Sequence, residues 1–156
     1  MNGTITKELC EGTALRLIKA LDAAIHTKTG AYHEHLRRFA QKERDPLTST
    51  VLNACRMHGI VLVMAEHRDC VYVSRLVLRT DEDVRKFCIM LNRRLHEACP
   101  NDYAKVLDIL DLSRTKLDQW MRREYNSPRF GKLLRFAARL HYRAWFYDLN
   151  SKTRIF

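Results

Sequence analysis

Ile60-Val61-Leu62-Val63-Met64-Ala65-Glu66-His67-Arg68-Asp69-Cys70-Val71-Tyr72-Val73-Ser74-Arg75-Leu76-Val77-Leu78 is the stretch on which the fold turns. Two β-branched runs, 60–65 and 71–78, flank the polar Glu66-His67-Arg68-Asp69, which is the pattern of a hairpin. One face of it should be covered by helices. Upstream, the period is helical. Cys10, Ala14, Leu17, Ile18, Leu21, Ala24 and Ile25 recur at three-and-four spacing, predicting an amphipathic helix from Thr6 to about His26 that ends before Gly30. A second helix, about Tyr32–Glu43, turns Tyr32, Leu36, Phe39 and Ala40 inward. Asp45-Pro46 then reads as an N-cap with proline at the first helical position, opening a helix that stops at Gly59. Downstream, Thr80 caps a helix whose first turn, Asp81-Glu82-Asp83, is acidic, as the helix dipole prefers, and whose inward stripe is Val84, Phe87, Cys88, Leu91 and Leu95. A short helix from Asp102, a turn near Asp111, a helix from Ser113 and a last helix from about Pro128 complete the chain. The expected fold is mainly α with one β-hairpin, an α+β domain spanning 1–156: a helical core over 1–100 with the hairpin at 60–78, then a helical hairpin and a basic C-terminal helix over 101–147.

Length and composition agree. At 156 residues, 46% hydrophobic and 29% charged, the chain can bury a core without metals or disulfides as staples. Five Gly and three Pro are too few for a low-complexity or many-turned all-β chain. Cys10, Cys55, Cys70, Cys88 and Cys99 are odd in number, show no CxxC and fit thiols in a reducing compartment. The longest apolar run, Ile60–Ala65, is far short of a membrane span, and the first residues lack a signal-peptide layout, so a soluble intracellular protein is expected.

Charge narrows the partner. Lys+Arg 28 against Asp+Glu 18 gives +10, which makes a polyanion the first partner to test. The excess is local: residues 113–143 hold nine basic and two acidic side chains, while the first 112 hold 17 and 15.

That segment overlaps a second informative stretch, Tyr103 to Arg122. Val106, Leu107, Leu110, Leu112, Leu117 and Trp120 occupy the inner slots of two short helices joined by a tight turn, with polar residues at most positions between. The stretch resembles the helix-turn-helix of phage repressors and many bacterial regulators, including the Leu112-Ser113-Arg114-Thr115 string that often opens a recognition helix. It departs from that pattern at Asp111, where glycine is preferred, and at Leu107, where a small residue is usual. The resemblance implies that Ser113, Arg114, Thr115, Lys116, Asp118, Gln119 and Arg122 face outward, with Arg123 next to them. Arg114 would pair with guanine, Gln119 with adenine, and the hydroxyls with phosphate or base edges. Asp118 would repel phosphate. The alternative is an αα-hairpin that only packs.

In the last helix Lys132, Arg135, Arg139 and Arg143 fall at spacings of 3, 4 and 4 and are expected to line one face along a phosphate backbone, with Phe130, Leu133, Ala137, Leu140 and Ala144 on another. The cluster Tyr142, Trp145, Phe146 and Tyr147 could stack bases or pack a terminal core. Two weaker constellations complete the set. His67-x-x-Cys70 and His96-x-x-Cys99 are conceivable zinc ligands, although no metal or other cofactor is expected. Arg135 to His141 is similar to the Arg…His motif of HEPN ribonucleases but has Phe136 where a polar residue usually follows. No phosphate-cradling glycine loop, nucleophile elbow or paired-carboxylate motif is present, so a non-enzyme is expected.

The expected function is sequence-specific DNA binding by a small transcriptional regulator, as a dimer, because one short recognition helix seldom supplies enough affinity. A rival DNA reader is a winged helix made of the first three helices and the hairpin, with Thr48, Ser49, Asn53 and Arg56 outward. A rival from another class is an adaptor or inhibitor, such as a viral or mobile-element accessory protein, docking its basic face on an acidic protein.

Overall fold

Ile60–Glu66 is buried on both faces because it belongs to the central strand of a sheet. The computed structural model describes the backbone of residues 7–122 and 127–156 and the side chains from Thr13 onward. Among the described residues there are seven α-helices and four strands: α1 (Lys7–Thr29), α2 (Glu34–Lys42), α3 (Thr48–Met57), β1 (Ile60–Arg68), β2 (Val71–Leu78), α4 (Asp81–Ala98), α5 (Tyr103–Ile109), α6 (Arg114–Met121), α7 (Phe130–Arg139), β3 (Tyr142–Asp148) and β4 (Thr153–Arg154). The α+β class is as expected, and the hairpin is there as β1–β2. Two more strands extend it into an antiparallel sheet of order β2-β1-β3-β4.

Register explains the burial. β1 pairs β2 with Val63 opposite Val77 and Ala65 opposite Arg75, and pairs β3 with Leu62 opposite Phe146 and Val63 opposite Trp145. Side chains alternate between faces, so Ile60, Leu62, Met64 and Phe146 enter the main core. Val61, Val63, Ala65 and Trp145 form a separate small cluster on the other face. α3 packs on β1, and α7 packs on β3 and α1. Glu66, on the core face, is buried with a partner: Arg94 Nη1 donates to its two carboxylate oxygens at 2.8 and 3.2 Å and to the Tyr142 hydroxyl at 2.9 Å.

The helix signals held where a local cap existed. Thr80 and Asp83 form a reciprocal capping box on α4, and Gly59 adopts φ +66 behind α3. Asp45 is a correction. The N-cap of α3 is Leu47, without a side-chain cap, and Asp45 Oδ1 instead accepts from Gly131 N at 2.8 Å in the first turn of α7. A Cβ on Gly131 would stand 2.8 Å from Asp45 Oδ2, so a larger residue there would displace the capping carboxylate. The start of α3 is satisfied across the chain as well, Thr48 N donating to Pro128 O and Ser49 N to Ser127 Oγ, both at 2.8 Å. A cap 86 residues away is invisible to local reading. Asp45→Ala is expected to lower stability by about 0.5–2 kcal/mol; urea unfolding that moves by less would show that water replaces the cap.

Among the described residues no helix is long and apolar enough to cross a membrane.

Candidate nucleic-acid interface

Asp111, at φ 55, turns the chain between α5 and α6. Aspartate enters this left-handed region more readily than most residues, so glycine is not needed. Leu112 N donates to Leu107 O at 2.9 Å, closing the end of α5. Ser113 is the N-cap of α6, its hydroxyl accepting from Lys116 N at 3.1 Å. Val106, Leu107, Leu110, Leu112, Leu117 and Trp120 are all buried. α6 rests on α4, and Arg85 Nη1 fastens its end by donating to Met121 O at 3.2 Å. The two helices are therefore separate rods with a shared apolar seam.

Their outer side is cationic at one end. Ser113, Arg114, Thr115 and Lys116 are exposed, while Asp118 and Gln119 are half-buried. Arg122 is the exposed C-cap. Arg123 lies outside the described residues. Tyr103 stands beside this surface: burial raises its phenol pKa, Arg114 lowers it and Asp118 raises it. No known protein family, curated protein or solved structure matches the chain.

The expected stripe on the last helix does not form. α7 ends at Arg139, His141 takes φ 68, and the chain leaves as β3, so Arg143 sits on a strand rather than one turn beyond Arg139. Arg139 is exposed, with Nη2 3.8 Å from Cys99 Sγ, and Lys132 is half-buried. Arg135 is 2% exposed. The reason is that α1, α3 and β3 pack on α7, so the middle of a face read as solvent-facing lies inside while its end at Arg139 stays exposed. Arg135 Nε and Nη1 have no hydrogen-bond partner among the described residues.

The aromatic cluster divides between the two faces of the sheet. Tyr142 and Phe146 join the main core, Tyr142 edge-on to Phe87. Trp145 joins the other face, roofed by the Arg154 guanidinium 4.4 Å from its ring and flanked by Tyr72. Arg75 lies over both Tyr72 and Trp145. This second cationic surface, Arg75, Arg143 and Arg154 around Trp145, needed the β3 pairing to be seen and had no local signal.

The remaining constellations are not assembled. His67 is edge-on to Tyr72 and His96 is stacked on Tyr103, and among the described residues no three His, Cys, Asp or Glu side chains are grouped as metal ligands. Arg135 and His141 are not on one helix, since α7 has ended between them. Of the outward set on α3, Thr48 is buried and donates to Pro128 O, Ser49 donates to Asp81 Oδ1, and Arg56 donates to Asn53. Little of that face is left to read a groove.

Proposed function

We propose that the chain binds duplex DNA through the exposed face of α6, as a sequence-specific regulator. The observation that carries this reading is that Arg114, Thr115 and Lys116 are all exposed in the first turn of a helix seated by Leu117 and Trp120 beyond a sharp turn at Asp111. A short helix held this way can enter a major groove, about 12 Å wide, with its N-terminal residues on base edges. Gln119 is half-buried and contributes less than Arg114. Selection of bound duplexes from a random pool, followed by competition with random DNA, tests the reading. A preferred sequence is expected, with affinity that falls steeply as salt rises. Arg114→Ala should relax discrimination at one base pair by about 1–3 kcal/mol while leaving stability within about 0.5 kcal/mol. Equal affinity for all duplexes in both proteins would refute sequence reading by α6.

The second cationic surface favours the other class of function. Arg75, Arg143 and Arg154 are exposed, and the strand residues sharing their face include no acid. An acidic protein docked there would be lost in Arg75→Glu and Arg143→Glu variants that keep duplex binding.

A further inference from the structure

Arg135 is a buried guanidinium in need of a counter-charge. It is 2% exposed, and Nε and Nη1, which carry three N–H donors, are unpartnered among the described residues. Leaving such a charge unpaired in a protein interior is strongly unfavourable, because water is lost and nothing replaces it. Less buried arginines of the described chain do have carboxylate partners. Arg94 has Glu66, and Arg37 has the buried Asp22 at 2.8 Å. Arg135 instead has cations near it. Lys132, one turn earlier on α7, is half-buried, its Nζ 3.5 Å from the Asp111 carbonyl in the α5–α6 turn. Burial pushes the Lys132 pKa down, as do Lys116 and Arg135, while the Asp111 carboxylate opposes them. Exposure increases from Arg135 through Lys132 to Lys116, so the positive charge grades from the interior of α7 to the surface of α6.

We infer that Arg135, Lys132 and Lys116 form a phosphate-binding site between α7 and the α5–α6 turn. Three cations against one carboxylate exceed what a carboxylate ligand would balance, and suit the spread charge and several acceptor oxygens of a phosphate. The phosphate could be free or part of a DNA backbone. The second source rests on the reading of α6 as the groove-facing helix, since a backbone phosphate here would fix that helix in its groove; the site itself does not depend on it.

Thermal unfolding in inorganic phosphate, against chloride at equal ionic strength, tests the site without DNA. The wild-type melting temperature is expected to rise by about 5–10 °C when phosphate reaches about 100 times its dissociation constant. Arg135→Met should lose that rise, and in phosphate-free buffer should melt no lower than wild type, since an apolar side chain of similar length removes the unpaired charge. No phosphate-specific rise in wild type, or the same rise in Arg135→Met, overturns the site. Should Arg135→Met fail to fold, Lys116→Gln, an exposed change, decides: weaker phosphate affinity supports the site and unchanged affinity overturns it. A duplex-DNA arm separates the sources. Loss of about 0.9 from the slope of log affinity against log salt in Lys132→Gln, for one phosphate contact fewer, assigns the site to the backbone. An unchanged slope with the phosphate response intact overturns that assignment in favour of free phosphate. Absence of DNA binding with the phosphate response intact overturns the proposed function and leaves the site standing.

Discussion

Trp120→Ala is expected to cost about 3–5 kcal/mol of folding stability, the range for truncating a large buried aromatic, and to lower the melting temperature by about 6–20 °C. Trp120 is 4% exposed at the end of an eight-residue helix. A helix that short has little stability of its own and is held by tertiary packing. Leu117 and Trp120, three residues apart, share the buried face of α6, which packs on α4 and enters the same core as Val106 and Leu110. Without the indole, the attachments left among the described residues include Leu117, the partly buried Met121 and the Arg85 bond to Met121 O. Arg114, in the first turn of α6, is exposed and is not among the buried residues of that helix. The two variants should therefore separate: Trp120→Ala loses stability, and DNA affinity falls with it, whereas Arg114→Ala loses discrimination alone. Chemical unfolding at several denaturant concentrations reads the difference. A loss below about 1 kcal/mol for Trp120→Ala would mean that α6 is held by something other than its apolar face.

Elements whose signals are local were legible in the sequence. Thr80 with Asp83 states where α4 begins, Gly59 where α3 ends, and the seam from Val106 to Trp120 where two helices meet. Asp111 is instructive because the turn needed only a residue tolerant of positive φ, which Asp supplies. What could not be read depends on partners far along the chain. Asp45 looks like a cap for the helix beside it, yet it serves α7. Ile60–Ala65 is apolar without alternation, the mark of a strand buried on both faces, and the strands that bury it lie on either side of it. Arg135 falls on a regular cationic spacing that suggests solvent, and only the packing of α1, α3 and β3 around α7 reveals that it is interior. Of the site residues expected from sequence, Ser113, Arg114, Thr115, Lys116 and Arg122 are exposed, Gln119 is half-buried on α6, Arg123 lies outside the described residues, and Lys132, Arg135, Arg139 and Arg143 do not form the expected stripe.

Phe146→Ala is also expected to cost about 3–5 kcal/mol, and with a neighbouring substitution it tests the least legible part of the fold. Leu133, Ala137, Leu140 and Ala144 continue a helical spacing through His141, and the sequence offers no glycine to stop it. In a continued helix Phe146 and Leu149, three apart, would share a face on the side opposite Leu133, Ala137, Leu140 and Ala144, away from that apolar stripe. In the strand, Phe146 is fully buried, opposite Leu62 and stacked on Phe130 with ring centroids 6.2 Å apart, whereas Leu149 lies past the end of β3 and is 42% exposed. Ile155 N donates to Phe146 O at 2.9 Å, so the last residues are tied to the same position. Leu149→Ala should accordingly stay within about 0.5 kcal/mol of wild type. Losses within about 0.5 kcal/mol for both would favour the helix, because there Phe146 shares with Leu149 a face turned away from the apolar stripe, whereas the strand buries Phe146 alone.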